Sequence, residues 1–159
     1  MAHKELEKDL PVYLFHQGTN YRAQELLGSH VREDGQVEFA VWAPHAAAVS
    51  VVGDFNDWDP EANPMEQLSE QGVWWSRIGG LHPFDLYKYA VTTAEGDVLY
   101  KADPYAYHAE TAPGTASRIY DLEGYSWQDS RWVARAKRQN IHHSPMNIYE
   151  VHLGSWRTY

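Results

Sequence analysis

The sequence contains no cysteine in its 159 residues. This absence excludes a disulfide scaffold, an iron–sulfur cluster, a thiolate zinc site and a cysteine nucleophile. The chain also has no apolar run near the roughly 20 residues that a membrane helix needs, and its first residues lack the apolar centre of a signal peptide. We therefore expect a soluble, cytoplasmic protein with no membrane partner.

Basic residues are scarce. Lysine and arginine number 13 against 22 acidic residues, which gives a formal net charge of -9. Tight binding to a phosphate backbone depends mainly on lysine and arginine displacing counterions, so nucleic acid is not an expected partner. Internal repeats and low-complexity tracts are absent too, which excludes a solenoid.

Aromatic residues are abundant, at 14% of the chain with 7 tryptophans and 11 tyrosines. The hydrophobic fraction of 43% is ordinary for a folded protein. So many amphipathic rings exceed what a core of this size normally uses, and we expect some of them to face a ligand.

The centre of the chain has the two-residue period of half-buried strands. Val37, Phe39 and Val41 alternate with Glu38 and its even-numbered neighbours, as one buried and one outer face would require. Similar short runs follow at residues 49–52, 73–78, 86–91, 98–100 and 118–120, separated by turn residues. Regularly spaced short strands predict an all-β fold, an immunoglobulin-like antiparallel β-sandwich.

The segment before these strands has a different character. Residues 4–9 are charged and predict a surface helical turn, while residues 12–15 form an apolar strip that we expect to dock on a neighbouring element. Residues 23–27 resemble one or two helical turns closed by Gly28, since glycine tolerates the left-handed cap position. We interpret this region as a short N-terminal appendage.

After Tyr120 the pattern changes again. Residues 131–138 predict a helix that Asp129 or Ser130 could cap, with basic residues toward its C-terminal end. A linker ending at Pro145 follows. Residues 146–153 have the composition of a strand, which we expect to open a further domain.

These patterns predict four segments. They are an appendage at 1–30, a sandwich at 31–123, a connecting helix and linker at 124–145, and the opening of a further domain at 146–159, which the resemblance given below implies to be the start of a truncated barrel.

The loop at residues 53–60 gathers acids, an amide and a tryptophan directly after a strand. A calcium loop of the EF-hand type needs an oxygen ligand at its fifth position and glycine at its sixth, where this chain has Trp58 and Asp59. The spacing therefore argues against calcium.

Two interpretations of this loop remain open. In one, Trp58 lies flat against the apolar face of a sugar ring while Asn56 and Lys88 bond its hydroxyls. In the other, the loop is a tight turn whose polar side chains bond the backbone while Trp58 plugs an edge of the core. Spacing alone favours the tight turn.

Strand alternation places other side chains on defined faces. Lys88 lies between Tyr87 and Tyr89, so it should point away from the face that carries the two rings. There it reaches either solvent or a ligand. Trp74 and Trp75 are neighbours, so we expect one buried and one partly exposed ring.

No catalytic or metal site emerges from the spacing. The nine histidines include only one adjacent pair in a linker, a poor arrangement for holding a single ion. Glu150 and His152 would share a strand face, but no nucleophile is locatable beside them, so an ion pair is the favoured interpretation. We expect no metal and no cofactor.

The ordered set of motifs resembles the bacterial 1,4-α-glucan (glycogen) branching enzymes of the α-amylase superfamily, over nearly the whole chain. The matching runs are residues 13–19, 27–30, 39–44, 51–58, 87–89, 101–106 and 148–157. The resemblance implies a carbohydrate-binding module of family 48 followed by a catalytic barrel, with residues 148–153 as the first barrel strand.

The resemblance also implies binding residues. Trp58 and Lys88 match the glucan-binding positions of such modules, and this favours the sugar-platform interpretation, with Asn56 beside them. Tyr100 stands near a second aromatic position. Thr115 and Ser117 match a loop that supplies polar contacts, although related modules carry asparagine at the latter position.

The implied activity is that of the parent enzyme. Branching enzymes cut an α-1,4 bond with a carboxylate nucleophile and a glutamate acid/base, and transfer the released segment to a 6-hydroxyl. Those carboxylates belong to later barrel strands, so this chain alone should carry no catalytic residue and no activity. Its expected partners are α-1,4-glucan and its own barrel. The alternative is a purely structural immunoglobulin-like module that braces the barrel.

Overall fold

The computed structural model describes residues 10–122, 125–139, 143 and 145–156. The chain divides into two compact units, Met1–Glu123 and Gly124–Tyr159.

The first unit contains two antiparallel sheets, which confirms the predicted β-sandwich. The four-stranded sheet has the order β1, β2, β5, β4, formed by Gly28–Val31, Val37–Trp42, Val73–Ile78 and Glu66–Gln67. The five-stranded sheet has the order β3, β6, β9, β8, formed by Ala48–Gly53, Leu86–Thr92, Ser117–Arg118 and His108–Ala109. Its fifth strand, β7 (Val98–Lys101), also pairs with β6.

The main core lies where the inner faces of the two sheets meet. Phe39 of β2 contacts Tyr87 of β6 edge to face, with ring centroids 5.1 Å apart, and both side chains are fully buried. Val51 and Ile119 also belong to this core. The alternation read from residues 37–42 and 86–91 therefore identified the core-facing side chains.

A second, smaller core lies on the other face of the four-stranded sheet. Residues 10–16 form a helical segment, α1, whose Val12 packs with Leu27, Ala40 and Val73. The apolar strip at 12–15 thus docks on a neighbour as predicted, in helical form. It covers part of the sheet face that would otherwise be exposed.

Three short strands were not predicted. β1 begins at Gly28, inside the segment expected to be an appendage, and pairs with β2 along its whole length. β4 and β8 are two residues long. Only a 3-10 turn at Ala23–Glu25 represents the helical turns predicted for residues 23–27.

In the second unit, the described residues include two helices. α2 spans Ser130–Arg138, close to the predicted helix. Asp129 occupies its N-cap position but makes no side-chain capping bond. α3 is a single turn at Leu153–Trp156. Among the described residues, no helix has the length and apolar character needed to cross a membrane.

The strand predicted at residues 146–153 is not present. Residues 146–152 have no regular secondary structure, and Leu153 begins α3. A strand is held by hydrogen bonds to a neighbour, and no described strand pairs with this segment. The predicted turn at 4–9 and most of the linker before Pro145 lie outside the described residues.

Candidate functional site

The loop after β3 is held by the side chain of Asn56. Its Oδ1 accepts a bond from the Gly53 N–H at 2.9 Å. Its amide nitrogen donates to the Val51 carbonyl at 3.0 Å and to Asn63 Oδ1 at 2.7 Å. Both amide protons are therefore used inside the loop, which is the role that the tight-turn interpretation gave to Asn56.

Trp58 lies at the end of this loop in an uncommon backbone conformation. Asp57 and Trp58 have φ values of 54° and 59°, the left-handed region that non-glycine residues rarely adopt. The Trp58 N–H donates to the Gly53 carbonyl at 3.0 Å, and its indole N–H donates to Asp54 Oδ1 at 2.8 Å. The ring is half-buried, so part of it remains accessible.

Gly53 allows the close approach of β3 and the following loop to β6. A Cβ at this position would collide with the Leu86 carbonyl oxygen and the Phe55 ring. Its φ of -176° is extended, so crowding and not backbone conformation requires glycine here. The base of the loop is thereby fixed against the strand that carries Lys88.

Lys88 points away from the core, as predicted, because its neighbours Tyr87 and Tyr89 are buried on the inner face. It lies opposite Val52 of β3. Its ammonium Nζ donates to Thr115 Oγ1 at 2.7 Å. The strand and the loop before β9 are thus joined by a lysine–threonine contact on the outer face.

Tyr100 shares this outer face. It pairs with Ala90 across β6 and β7, which places it diagonally from Lys88, at roughly 7–8 Å between such positions. Its side chain is 49% exposed. The outer face therefore carries a phenol ring on β7 and the ammonium group on the neighbouring β6.

The prediction that Ser117 contacts a ligand does not fit its position. Ser117 pairs with Tyr87 on the inner side of the sheet and is 2% exposed. Its Oγ accepts the backbone N–H of Asp103 at 2.9 Å. Ser117 lies two residues after Thr115, but the two side chains do not share the outer face. Thr115 is in a loop, whereas Ser117 begins a strand, so strand alternation does not relate them.

Ser117 belongs to a buried polar network that the sequence did not reveal. Asp103 accepts hydrogen bonds from the hydroxyls of Tyr87 at 2.6 Å and Tyr89 at 3.1 Å, and from the Tyr105 N–H at 2.8 Å. Burial raises the pKa of Asp103, and these hydrogen bonds partly oppose the rise. The network ties β6 to the segment after β7, and so stabilises the strand that bears Lys88.

His152, considered above together with Glu150, lies in the second unit. His152 Nδ1 is hydrogen bonded to Ser155 Oγ at 2.7 Å within the second unit, and no bond to Glu150 accompanies it. No group of three histidine, aspartate or glutamate side chains within the described ranges could hold a metal ion. The outer face of the five-stranded sheet combines an aromatic ring, an ammonium group and a hydroxyl.

A family model described as Carbohydrate-binding module 48 (Isoamylase N-terminal domain) matches residues 26–106, just over half of the chain. The chain belongs to this family. The match begins just before β1 and includes Trp58, Lys88 and Tyr100, while Thr115 lies beyond it. The match therefore includes β1 to β7 of the sandwich and ends before β8 and β9.

Curated relatives of this family-48 chain are similar over most of its length. It is 48% identical over 149 residues to the 1,4-alpha-glucan branching enzyme GlgB of Bacillus subtilis, covering 92% of this chain and 24% of the relative. It is 49% identical over 152 residues to the enzyme of the same name from Bacillus caldolyticus, covering 94% of this chain and 23% of the relative. The chain spans about a quarter of these relatives.

Solved structures share the fold of the module. A putative alpha amylase from Salmonella typhimurium covers 67% of this chain, and 16% of its own, at a TM-score of 0.52 and 20% identity, which shows the fold alone. A PulA variant from Klebsiella pneumoniae in complex with maltotriose matches with a TM-score of 0.51 and 27% sequence identity, and the match covers 65% of this chain and 12% of the PulA chain. A pullulanase variant from Paenibacillus barengoltzii in complex with maltotetraose matches with a TM-score of 0.50 and 30% sequence identity, and the match covers 60% of this chain and 15% of the pullulanase chain.

Proposed function

We propose that this module binds α-1,4-glucan on the outer face of its five-stranded sheet. The observation that carries the proposal is the hydrogen bond from Lys88 Nζ to Thr115 Oγ1, on the face that also presents Tyr100 and beside the loop that ends in Trp58. Membership of a carbohydrate-binding family supports it. So do the similar PulA and pullulanase structures, which hold maltotriose and maltotetraose.

The chemistry suits a glucose polymer. An indole ring packs against the apolar C–H face of a pyranose, while polar groups bond its hydroxyls. One of the three ammonium protons of Lys88 is donated to Thr115, so two remain for sugar oxygens. Thr115 is exposed and can contact the same sugar. Tyr100 offers a second ring further along the face.

Asn56 has a supporting part in this proposal. Its amide protons hold the loop that presents Trp58, so it acts on the ligand through the ring. Ser117 is left out of the proposed site because it is buried on the other side of the sheet.

We further propose that the chain is the N-terminal part of a cytoplasmic 1,4-α-glucan branching enzyme, as its relatives' names suggest. The parent enzyme would transfer an α-1,4-linked segment to a 6-hydroxyl of a glucan. Residues 146–159 would begin its barrel, with residues 146–153 becoming a strand when neighbouring strands are supplied. Because the reacting carboxylates belong to that barrel, this chain alone would be inactive.

A purely structural module is the second candidate function. The internal use of Asn56 and the burial of Ser117 favour it, since two of the expected contacts serve the fold. In that case the sandwich would brace the barrel, and sugar recognition would belong to the barrel alone.

Calorimetric titration of the folded chain with maltoheptaose separates the two functions. We expect weak binding that falls about threefold to tenfold in Trp58→Ala, since aromatic packing contributes roughly 0.5–1.5 kcal/mol beyond buried area. Trp132→Ala is the matched control, because Trp132 is an exposed ring in the second unit. A cellooligosaccharide tests the linkage. Absence of binding by a demonstrably folded sample would favour the structural module.

A further inference from the structure

A groove lies on the outer face of the four-stranded sheet, the sheet that does not carry Lys88. Its volume is about 860 Å³, within the roughly 300–1,000 Å³ typical of small-molecule sites. Trp75, Arg77, Asp34 and Glu38 contribute to its lining, together with apolar side chains that include Leu68. The groove is thus separate from the site proposed above.

Strand geometry explains how these side chains come together. Trp75 and Arg77 are two residues apart on β5, so they share a face, and Glu38 of β2 lies directly opposite Arg77. The small core beneath α1 covers the adjoining part of this face, with Leu68 and Trp75 packed against it. The groove lies next to the part of the sheet that this core covers, and its lining is more polar. The partly exposed indole of Trp75 lies where the two meet.

The arginines that line the groove are paired with carboxylates of the same groove. The Arg77 guanidinium lies 2.6 Å from Asp34 Oδ2 and 3.9 Å from Glu38 Oε1, and Arg32 lies 2.7 Å from Glu38 Oε2. The lining carries three arginines and four carboxylates. An anionic ligand would have to displace these carboxylates, whereas a neutral ligand would not.

A polyhydroxylated ligand can add to such ion pairs without breaking them. Carboxylates keep free lone pairs and guanidinium groups keep free N–H donors after pairing, and a hydroxyl both donates and accepts. The Arg77 and Glu38 side chains are only 19% and 14% exposed, so their positions are largely fixed before a ligand arrives. The adjacent indole supplies an apolar surface for a sugar ring.

We propose that this groove is a second saccharide site, which takes a short segment of α-glucan. Trp75 packs against a glucose ring, while Arg77, Asp34 and Glu38 bond its hydroxyls. The choice of α-glucan rests on the proposed function, whereas the preference for a neutral saccharide rests on the groove itself.

Indole N–H resonances test the two sites separately in one titration. The chain is labelled with ¹⁵N, the Trp58 and Trp75 signals are assigned with Trp58→Phe and Trp75→Phe, and maltoheptaose is added. We expect both signals to shift, each with its own affinity, and the Trp75 shift to persist in Trp58→Ala. Movement of Trp58 alone would overturn the groove site and leave the proposed function intact. A shift of the Trp75 signal alone would overturn the proposed function at Trp58 and leave the groove site intact. If neither signal shifts, both proposals are overturned.

A charge-removing variant checks that the Trp75 shift reports direct binding. Arg77→Met should weaken the affinity reported by Trp75 by about tenfold or more, as the loss of a hydrogen bond from a charged group implies, and leave that reported by Trp58 unchanged. Arg118→Met removes the same charge from the other sheet and is the control. If Arg77→Met does not fold, Glu38→Gln replaces it. Unchanged affinity at Trp75 in the folded variant would overturn the proposal.

Discussion

The two units use apolar and aromatic residues in opposite ways. In the sandwich, large side chains such as Phe39 and Tyr87 are completely buried. In the second unit, Trp132 is 68% exposed and Ile148 is 85% exposed, and α2 buries none of its residues. A strand-like sequence therefore forms a strand only where a neighbour satisfies its backbone and covers its apolar face.

Hydrogen exchange should show the largest contrast between the two units. We expect amides of β6, bonded on both edges, to open only by global unfolding, and those of residues 146–151 to exchange almost freely. For an ordinary global stability this means a difference of roughly a thousandfold or more in protection. Mass spectrometry of peptic fragments measures it.

One outcome would contradict that expectation and point to self-association. An apolar segment without a strand partner can pair with another copy of itself. Protection of residues 146–151 that rises with protein concentration would indicate such pairing, and light scattering on the same samples would show the accompanying oligomers.

Truncation of one ring in each unit should show the next largest contrast. Phe39→Ala removes a fully buried ring that packs on Tyr87, and it should lower the free energy of unfolding by about 3–5 kcal/mol. Trp132→Ala should change it by no more than about 0.5 kcal/mol, since the ring is exposed. Urea denaturation followed by far-ultraviolet circular dichroism measures both. Similar losses would mean that the second unit contributes packing to the folded chain.

The smallest predicted effect is a pH dependence inside the sandwich. Burial lowers the pKa of His30, which a hydrogen bond to the Leu27 carbonyl and the nearby Glu38 and Asp103 only partly oppose. Between the lowered pKa and about 6.5 the unfolded chain binds more protons than the folded one, so stability should fall as the pH falls through this window. His30→Gln should remove this contribution. Equal pH slopes of unfolding free energy in wild type and variant would contradict the prediction.

Much of the fold was predictable because long strands show an alternation of apolar and polar residues in the sequence. The pattern at residues 37–42, 73–78 and 86–91 identified both the strands and their buried faces, including the division between Trp74 and Trp75. Two-residue strands such as β4 are too short for any period to show. β1 begins with glycine and serine, which carry little strand propensity, and it exists through its pairing with β2.

The candidate site was predictable only in part, because alternation fixes a face but not a partner. Lys88 was placed correctly on the outer face, yet its bond to Thr115 depends on how a distant loop returns to β6. Ser117 was misplaced for the same reason, since its face follows from pairing with Tyr87. For the groove around Trp75 and Arg77, the sequence offers only the two-residue spacing that puts these side chains on one face. That Glu38 lies opposite Arg77 follows from the strand register, which the sequence does not show.

The left-handed backbone at Asp57 and Trp58 has a consequence for affinity. Such a conformation costs about 1–2 kcal/mol per residue, and the fold carries that cost whether or not a sugar is present. The indole is likewise anchored to Asp54 before any ligand arrives. If this surface binds glucan as proposed, the ligand meets a ring that is already oriented, and little conformational freedom remains to be lost on binding. The affinity of this surface should thus depend on the rigidity of its loop as much as on the ring itself.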